Sequence, residues 1–216
     1  MARPLVRRDF IQLLIVTAIG VGAGQILLRS APLGRDVGTN PTAQALLRDR
    51  RAPSQAVENS SLTLVVFTDF QCPACKRANA AMDAAVAEDG RVRVVYIDWP
   101  IFGPLSERAA RVAIAADRQG IYVPVHRRLM TERRRLDDTV LRQAVERSGG
   151  NWNKVLLDLQ SHGAAIDRQL ARNGNDAYAL GIAGTPTYLA GPLLVIGGLD
   201  EAGFAKAFAL GRSNAT

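Results

Sequence analysis

The stretch SLTLVVFTDFQCPACKRANAAMDAAVAED, residues 61–89, joins an apolar run, a pair of cysteines and an alanine-rich segment. Residues 61–70 are almost all apolar or β-branched, which is typical of a strand buried on both faces. The alanine-rich residues 76–89 predict a helix. Pro73 lies where the first residue of that helix is expected, a position at which its missing N–H does no harm. The stretch therefore predicts a strand, a tight turn and a helix that begins at the first cysteine.

The cysteine pair lies at the start of this helix, and that position determines its chemistry. Unpaired backbone N–H groups and the helix dipole stabilise a negative charge on Cys72. A thiolate at Cys72 is the attacking or leaving sulfur in exchange with a substrate disulfide. Cys75, one helical turn further, is expected to be buried and to resolve the mixed disulfide, with Pro73 and Ala74 forming the turn between them. The predicted redox group is the Cys72–Cys75 disulfide itself, with no cofactor.

Other interpretations of a C-x-x-C pair stay open at this point. These are the only cysteines in the chain, so a scaffold of several disulfides is excluded. A zinc site would need His126 and His162, whose separation is unlike that of a zinc finger, and we predict no metal site. We interpret both histidines as helix-surface residues. A Cu(I) site on the two thiols, or a structural pair of cysteines, is the remaining alternative.

Two segments of the chain resemble one known family. VVFTDFQCPACKR at 65–77 and GIAGTPTYLAGPLLVIGG at 181–198 are similar to the DsbA-like thiol–disulfide oxidoreductases of the bacterial envelope. Between them, PLSERAARVAIAADRQG at 104–120 resembles the start of the family's helical insertion. The resemblance covers residues 55 to 210 or so. It implies an α/β thioredoxin fold, with a large helical insertion between the second strand and the cis-proline strand, and an enzyme that exchanges disulfides.

The resemblance also assigns roles to residues near the cysteines. It implies that Pro186 follows a cis peptide bond and that Thr185 presents its backbone to a substrate polypeptide as a short antiparallel strand. An ordinary trans turn is the alternative. The strongly oxidising relatives have His where this chain has Ala74, and many relatives have a buried carboxylate where it has Val66.

Charged residues that could act on the redox pair lie close to it in the sequence. The nearest acid is Asp69, and positive charge follows the pair at Lys76 and Arg77. We predict that Asp69 and Lys76 modulate the proton or the charge at the site.

The remaining sequence completes the predicted fold. A second strand is expected at 91–98, where polar and apolar residues alternate. Helical periodicity broken by glycines predicts a series of helices within about 104–180. A hairpin turning at Gly191-Pro192 and a closing helix with Asp200 as its N-cap follow. The predicted helices of the insertion and the predicted strands and helix after it are 106–119, 121–134, 137–148, 152–161, 163–173, 187–190, 193–196 and 200–210.

The N-terminal part of the chain predicts export. Residues 10–28, FIQLLIVTAIGVGAGQILL, form an uncharged run, and as a helix it would span roughly 28 Å, about the thickness of a bilayer core. Arginines precede it, which places the rest of the chain outside the cytoplasm. Residues 7–11 resemble a twin-arginine signal, and a generic positively charged region is the alternative. We predict a membrane anchor or export signal at 1–28, a linker at 29–60 with a helical turn or two around 42–50, a thioredoxin-like domain at 61–210 and a tail at 211–216.

The charge of the chain and its motifs limit the classes of function that are possible. The net charge is +7, but the basic residues are scattered along helical segments among acidic ones, so we predict no nucleic-acid partner. The expected location is the periplasm or the outer face of the inner membrane. The leading hypothesis is a dithiol oxidase of exported, cysteine-containing polypeptides that a membrane redox partner reoxidises. A reductase or isomerase on the same fold, or a Cu(I)-handling or holdase module, is the alternative.

Overall fold

The computed structural model describes residues 32–213, which form a six-stranded sheet with helices on both faces. The strands are β1 (Arg35–Asp36), β2 (Ser54–Gln55), β3 (Leu62–Thr68), β4 (Val92–Asp98), β5 (Thr187–Ala190) and β6 (Leu193–Ile196). The helices are α1 (Pro41–Arg48), α2 (Pro73–Asp89), α3 (Pro104–Asp117), α4 (Tyr122–Thr131), α5 (Asp138–Arg147), α6 (Trp152–Ala179) and α7 (Glu201–Ser213).

The sheet has the strand order β1-β6-β5-β3-β4-β2. Strands β3 and β4 pair in parallel, with α2 crossing between them, and every other pair is antiparallel. Thr68 lies beside Asp98, and Phe67 lies opposite Thr187, so β3 and β4 end where β5 begins. The turn after β3 and the segment before β5 therefore meet at one edge of the sheet. The predicted α/β thioredoxin fold, with α3 to α6 inserted between β4 and β5, is confirmed.

Alternating side chains of the central strands bury two layers of core. On one face, apolar residues of β3, β4 and β5 pack against α1 and the end of α6. On the other face, Tyr188 contacts Phe204 of α7, and Tyr96 contacts Tyr122 of α4. This division follows from the two-residue period of a strand, since Val66, Tyr96 and Tyr188 are register neighbours and point the same way.

The predicted linker at 29–60 is wrong over much of its length. Strand β1 pairs with β6 at one edge of the sheet, and β2 pairs with β4 at the other. The expected helical turns are α1, which Asn40 caps through its side chain and which buries Ala43 and Leu46 in the core. A two-residue edge strand has no periodicity of its own, because its hydrogen bonds depend on a partner distant in sequence. Only its pairing in the sheet identifies it.

The helical insertion lies where the sequence predicts it, except that its last two helices are one. Helix α6 runs unbroken through Gly163 and Gly174, although glycine lowers helix propensity. A Cβ at Gly174 would lie 3.3 Å from the indole nitrogen of Trp99, and one at Gly163 would lie 3.1 Å from the Arg111 guanidinium. Both glycines therefore allow close packing within a helix that tertiary contacts stabilise.

The closing helix begins as predicted and ends later. Asp200 accepts a hydrogen bond from the N–H of Gly203 at 2.8 Å, which confirms it as the N-cap. The helix continues through Gly211 to Ser213, so the tail predicted at 211–216 is wrong for its first three residues. The reason is that α7 packs directly on β5, where an added Cβ on Gly211 would collide with the carbonyl oxygen of Ala190.

The predicted membrane anchor at 10–28 lies outside the described residues. Among residues 32–213, no helix has both the length and the apolar character needed to span a bilayer.

The two histidines have different environments, and the prediction of a surface position is wrong for His126. Its ring is buried among Phe70, Tyr96 and Tyr122, with Nε2 3.3 Å from the side-chain oxygen of Asn79. Burial lowers the pKa of His126 to about 3. The apolar positions of α4 repeat at helical spacing, and the imidazole falls within that stripe. His162 is on the surface, 3.9 Å from Asp158.

Acid is expected to destabilise the protein through His126. Its folded pKa lies below the ordinary value of 6.5, so its contribution is present above pH 6.5 and is lost as the pH falls toward 3. We expect a loss of roughly 2 to 3 kcal/mol in unfolding free energy between pH 7 and pH 4.5, measured by urea denaturation. His126→Gln should remove this loss, whereas His162→Gln, at an exposed site, should not. An equal acid slope in both variants would contradict the assignment.

Candidate functional site

The cysteine pair lies at the turn from β3 into α2. Cys72 is the N-cap of α2, with φ −68° and ψ 116°, and Pro73 is the first helical residue, as the sequence predicts. The N–H of Cys72 donates to the carbonyl of Asp69 at 3.1 Å, which closes the turn. Both cysteines are free thiols and both are buried. The strand and the helix together place Cys72 where the unpaired N–H groups of the first helical turn converge.

The surroundings of Cys72 favour its thiolate. Its sulfur accepts a hydrogen bond from the N–H of Cys75 at 3.2 Å, which favours the thiolate. In the protonated form, the Cys72 thiol donates to the carbonyl oxygen of Thr185 at 3.3 Å, a contact that opposes ionisation. The pKa of Cys72 is lowered to about 6, chiefly because the Cys75 thiol donates a hydrogen bond to its sulfur. Burial opposes this shift. The Thr185 side chain and the N–H groups of Cys75 and Ala74 lower the pKa further.

Cys75 is the proton-holding member of the pair. The hydrogen bond that its thiol donates to Cys72 raises the pKa of Cys75, and burial raises it further. One thiol of the reduced pair therefore ionises near neutral pH while the other stays protonated. The two pKa values belong to a coupled pair, so the first ionisation is a property of both sulfurs together.

A pH titration should show this asymmetry directly. We expect the thiolate absorbance at 240 nm of the reduced protein to rise with a midpoint near pH 6. Cys75→Ala removes the largest cause of the shift and should raise the midpoint by about 1 to 2 pH units. Cys75→Ser retains a hydroxyl donor, so its midpoint should lie between those of the wild type and Cys75→Ala. An unchanged midpoint in Cys75→Ala would contradict this account.

The segment before β5 faces the cysteines. The Thr185–Pro186 peptide bond is cis, which is the geometry that the resemblance implies. The Thr185 hydroxyl is buried and has no hydrogen-bond partner of ordinary geometry, while the same side chain lowers the pKa of both cysteines. The carbonyl of Pro186 accepts from the N–H of Gly197 at 2.9 Å, which holds this segment to the chain that leaves β6. Cys72 and Thr185 are thus in direct contact, although they are distant in sequence.

Comparison with known proteins assigns this arrangement to a family. The family described as the DSBA-like thioredoxin domain matches residues 63–209, which include the cysteine turn and the cis-proline strand. The chain belongs to the DsbA-like thioredoxin family. Enzymes of this family are thiol–disulfide oxidoreductases that act on cysteine-containing substrates.

Solved structures share the fold. A thioredoxin-like oxidoreductase from Silicibacter pomeroyi DSS-3 has 30% sequence identity and a TM-score of 0.73, over 79% of this chain and 97% of that one. The thiol–disulfide exchange protein alpha-DsbA2 from Wolbachia pipientis has 22% identity and a TM-score of 0.74, over 81% and 95%. The catalytic domain of Proteus mirabilis ScsC has 23% identity and a TM-score of 0.71, over 82% and 97%.

Curated relatives include much longer proteins. A Na(+)/H(+) antiporter, NhaA 1 from Mycolicibacterium gilvum, is 27% identical over 71% of this chain and 25% of its own length. NhaA from Herminiimonas arsenicoxydans is 30% identical over 61% of this chain and 21% of its own length. This chain thus spans about a quarter of the length of the curated relatives it matches, and antiport is an activity of those proteins.

Asp69 and Lys76 lie beside the redox turn of this DsbA-like chain, each in its own set of contacts. The Asp69 carboxylate accepts four hydrogen bonds, and Lys76 donates to the carbonyl of Glu132. Burial lowers the pKa of Lys76, and Glu132 and Asp69 oppose that shift. The donors to Asp69 are the N–H groups of Gln71, Ile101 and Phe102 and the hydroxyl of Ser106. The modulation of proton or charge by Asp69 and Lys76 stays a prediction.

A buried carboxyl lies at the end of β4 and was not predicted from the sequence. Asp98 accepts a hydrogen bond from the hydroxyl of Tyr122 at 2.8 Å, and its carbonyl accepts from the side chain of Asn173 at 2.7 Å. Burial raises the pKa of Asp98 to about 7. The sequence did contain a signal for the burial of Asp98, because this residue continues the alternation of Val94 and Tyr96 on one buried face of the strand.

Residues 32–213 were also searched for side chains that could bind a metal ion together. No group of three or more His, Cys, Asp or Glu side chains there could hold a metal ion.

Proposed function

We propose that this chain is an exported dithiol oxidase that passes its Cys72–Cys75 disulfide to cysteine-containing polypeptides. The observation that carries the proposal is the position of Cys72 at the N-terminus of α2, where its sulfur accepts the N–H of Cys75 at 3.2 Å. The Cys75 thiol and nearby N–H groups lower the pKa of Cys72. A stabilised thiolate favours the reduced form of the pair, so the disulfide form accepts electrons more readily. The redox group is the cysteine pair itself, without a cofactor.

The exchange takes two steps. A substrate thiolate attacks the Cys72 sulfur, which forms a mixed disulfide and breaks the Cys72–Cys75 bond. Cys75 leaves as a thiolate and takes up a proton, in keeping with its raised pKa. A second thiolate of the substrate then attacks the substrate sulfur that is bonded to Cys72, and Cys72 is expelled as a thiolate. The substrate loses two electrons to form a disulfide, and the cysteine pair gains them.

Thr185 is the residue we assign to substrate positioning. Its segment lies directly against Cys72, with its carbonyl 3.3 Å from the sulfur, at the edge of the sheet where β5 begins. A polypeptide extended along Thr185 and Pro186 would pair with the backbone there in the manner of an added strand. Its cysteine would then stand next to Cys72.

The proposed location is the outer face of the inner membrane. The apolar run at 10–28, with arginines before it, supports an anchor or export signal that leaves the enzyme in an oxidising compartment. There, a membrane partner linked to quinone would take two electrons from the reduced pair and restore the disulfide. The domain boundaries at 1–28 and 61–210 belong to this proposal, with residues 35–55 now part of the enzyme domain.

The reduction potential of the Cys72–Cys75 pair tests the proposal. The purified protein is equilibrated with glutathione buffers, and the oxidised fraction is measured. A value near about −120 mV, where strong envelope oxidants lie, would support the oxidase. A value near about −270 mV, where thioredoxin lies, would instead make the chain a reductase. An intermediate value with activity on scrambled disulfides, in an oligomer, would identify an isomerase.

A further inference from the structure

A groove lined by arginines and hydroxyl groups lies at the end of the sheet opposite the cysteines. Its volume is about 480 Å³, within the range of about 300–1,000 Å³ that is usual for small-molecule sites. Thr63 and Arg93 both line it, and they are register neighbours near the start of β3 and β4. Cys72 follows the far end of β3, and the five residue steps from Thr63 to Thr68 extend roughly 17 Å. The groove is therefore distinct from the redox site.

Three guanidinium groups of the described residues line this groove, and no carboxylate of those residues does. The three belong to Arg48, Arg50 and Arg93. Arg48 and Arg50 are exposed, and neither guanidinium forms a hydrogen bond or ion pair within residues 32–213. The Asp49 carboxylate accepts two backbone N–H groups of its own turn, at 2.7 and 3.3 Å, and lines the neighbouring cavity instead. Positive charges that converge in a groove without an acidic neighbour attract anions.

Uncharged donors also line the groove. They are the hydroxyls of Ser54, Ser60 and Thr63, which have no hydrogen-bond partner in the part of the chain that the structure describes. Strands hold two of these residues in place, since Ser54 belongs to β2 and Thr63 to β3. The Arg93 guanidinium donates to the carbonyl of Asp49, which ties the end of α1 to β4. Donors that are in position before a ligand arrives lower the entropic cost of binding.

We propose that this groove binds a phosphate ester. A guanidinium group bonds two phosphate oxygens at once, and the hydroxyls would satisfy the oxygens that remain. A phosphate monoester carries nearly two negative charges and three acceptor oxygens, so it matches three cations better than a carboxylate, which has one charge and two oxygens. Leu47 and Ala56 form the apolar part of the lining and would contact the carbon skeleton of the ester. The proposal does not depend on disulfide exchange at Cys72.

Isothermal titration calorimetry of the full chain in a neutral detergent tests the proposal, with glycerol 3-phosphate as the probe. We expect saturable binding at one site. Arg50→Gln removes a charge-assisted hydrogen bond and should weaken the affinity about ten-fold, which corresponds to about 1.4 kcal/mol. Thr63→Val removes a hydroxyl without a change of charge and should weaken the affinity about three-fold. Arg51→Gln is the matched control, because Arg51 is exposed but does not line the groove, and it should change the affinity less than about two-fold.

A second phosphate ester identifies the source of the ligand, since a free phosphomonoester and the headgroup of an anionic phospholipid share this chemistry. Tighter binding of glycerophosphoglycerol, the headgroup of phosphatidylglycerol without its acyl chains, would identify the lipid. Tighter binding of glycerol 3-phosphate would identify the free ester.

Three results would overturn the proposal. The first is that neither phosphate ester binds. The second is that acetate binds as tightly as glycerol 3-phosphate, because the groove would then not select phosphate. The third is an equal loss of affinity in Arg50→Gln and Arg51→Gln, which would show only a general attraction of anions by the net charge of +7.

Discussion

Replacing Cys72 with Ser is expected to abolish disulfide exchange, with a loss of at least about three orders of magnitude in rate. A serine hydroxyl forms no disulfide, so neither the disulfide with Cys75 nor the mixed disulfide with the substrate can form. The fold should survive, because a hydroxyl can still accept the N–H of Cys75 that the Cys72 sulfur accepts. The measurement is the transfer of a disulfide to a reduced peptide, with circular dichroism to confirm folding.

Cys75→Ser is the matched variant for that experiment. It keeps the Cys72 thiolate and removes Cys75. When this variant is mixed with a peptide that carries a disulfide, Cys72 attacks one peptide sulfur and the other leaves as a thiolate, so the covalent complex that Cys75 would otherwise release should accumulate. The complex is detected by non-reducing electrophoresis and should disappear on reduction. Exchange that continues in Cys72→Ser, or a stable complex through Cys75 instead of Cys72, would refute the assignment of Cys72 as the attacked sulfur.

Asp98→Asn is expected to stabilise the folded protein, and more so in alkaline solution. Burial raises the pKa of Asp98 from 3.8 to about 7. The stability that protonated Asp98 confers is therefore fully present below pH 3.8 and is lost as the pH rises through about 7. Above that pH the folded protein holds a buried charge, which asparagine avoids while it still accepts the hydroxyl of Tyr122.

The size of this effect follows from the shift in pKa. The gain in unfolding free energy from Asp98→Asn should be larger at pH 8 than at pH 5 by roughly 2 to 3 kcal/mol. Urea denaturation at the two pH values measures it, and subtracting the gains cancels the effects of the substitution that do not depend on pH. Glu58→Gln, which changes an exposed carboxylate, is the control and should show no such difference. An equal gain at both pH values would show that Asp98 is not the titrating group.

The site could be predicted from sequence only in part. Cys72, Pro73 and Cys75 lie where the strand–turn–helix pattern predicts them, because N-cap and first-turn preferences act between neighbours in the chain. The low pKa of Cys72 has the predicted direction, although its largest cause is the Cys75 thiol. No local pattern indicates that the Asp69 carboxylate bonds Ile101 and Phe102, since those donors belong to a loop that follows another strand.

The fold, like the site, could be predicted from the sequence only in part. Strands β3 and β4, the hairpin of β5 and β6, and the start of α7 at Asp200 follow from alternation, glycine turns and capping. The sequence by itself also determined that the chain carries one pair of cysteines at a helix start. These features depend on interactions between residues within a few positions of each other, so the local sequence is enough to predict them.

Only the tertiary structure decided the rest. The edge strands β1 and β2 exist because β6 and β4 offer hydrogen-bond partners, and α6 continues through Gly174 because Trp99 packs against it. His126 is buried because three aromatic rings surround it, and its altered pKa follows from that burial. Each of these outcomes depends on groups far apart in the chain. Burial and hydrogen-bond partners are properties of the assembled fold, and they set the free energies of charged and polar groups at this site.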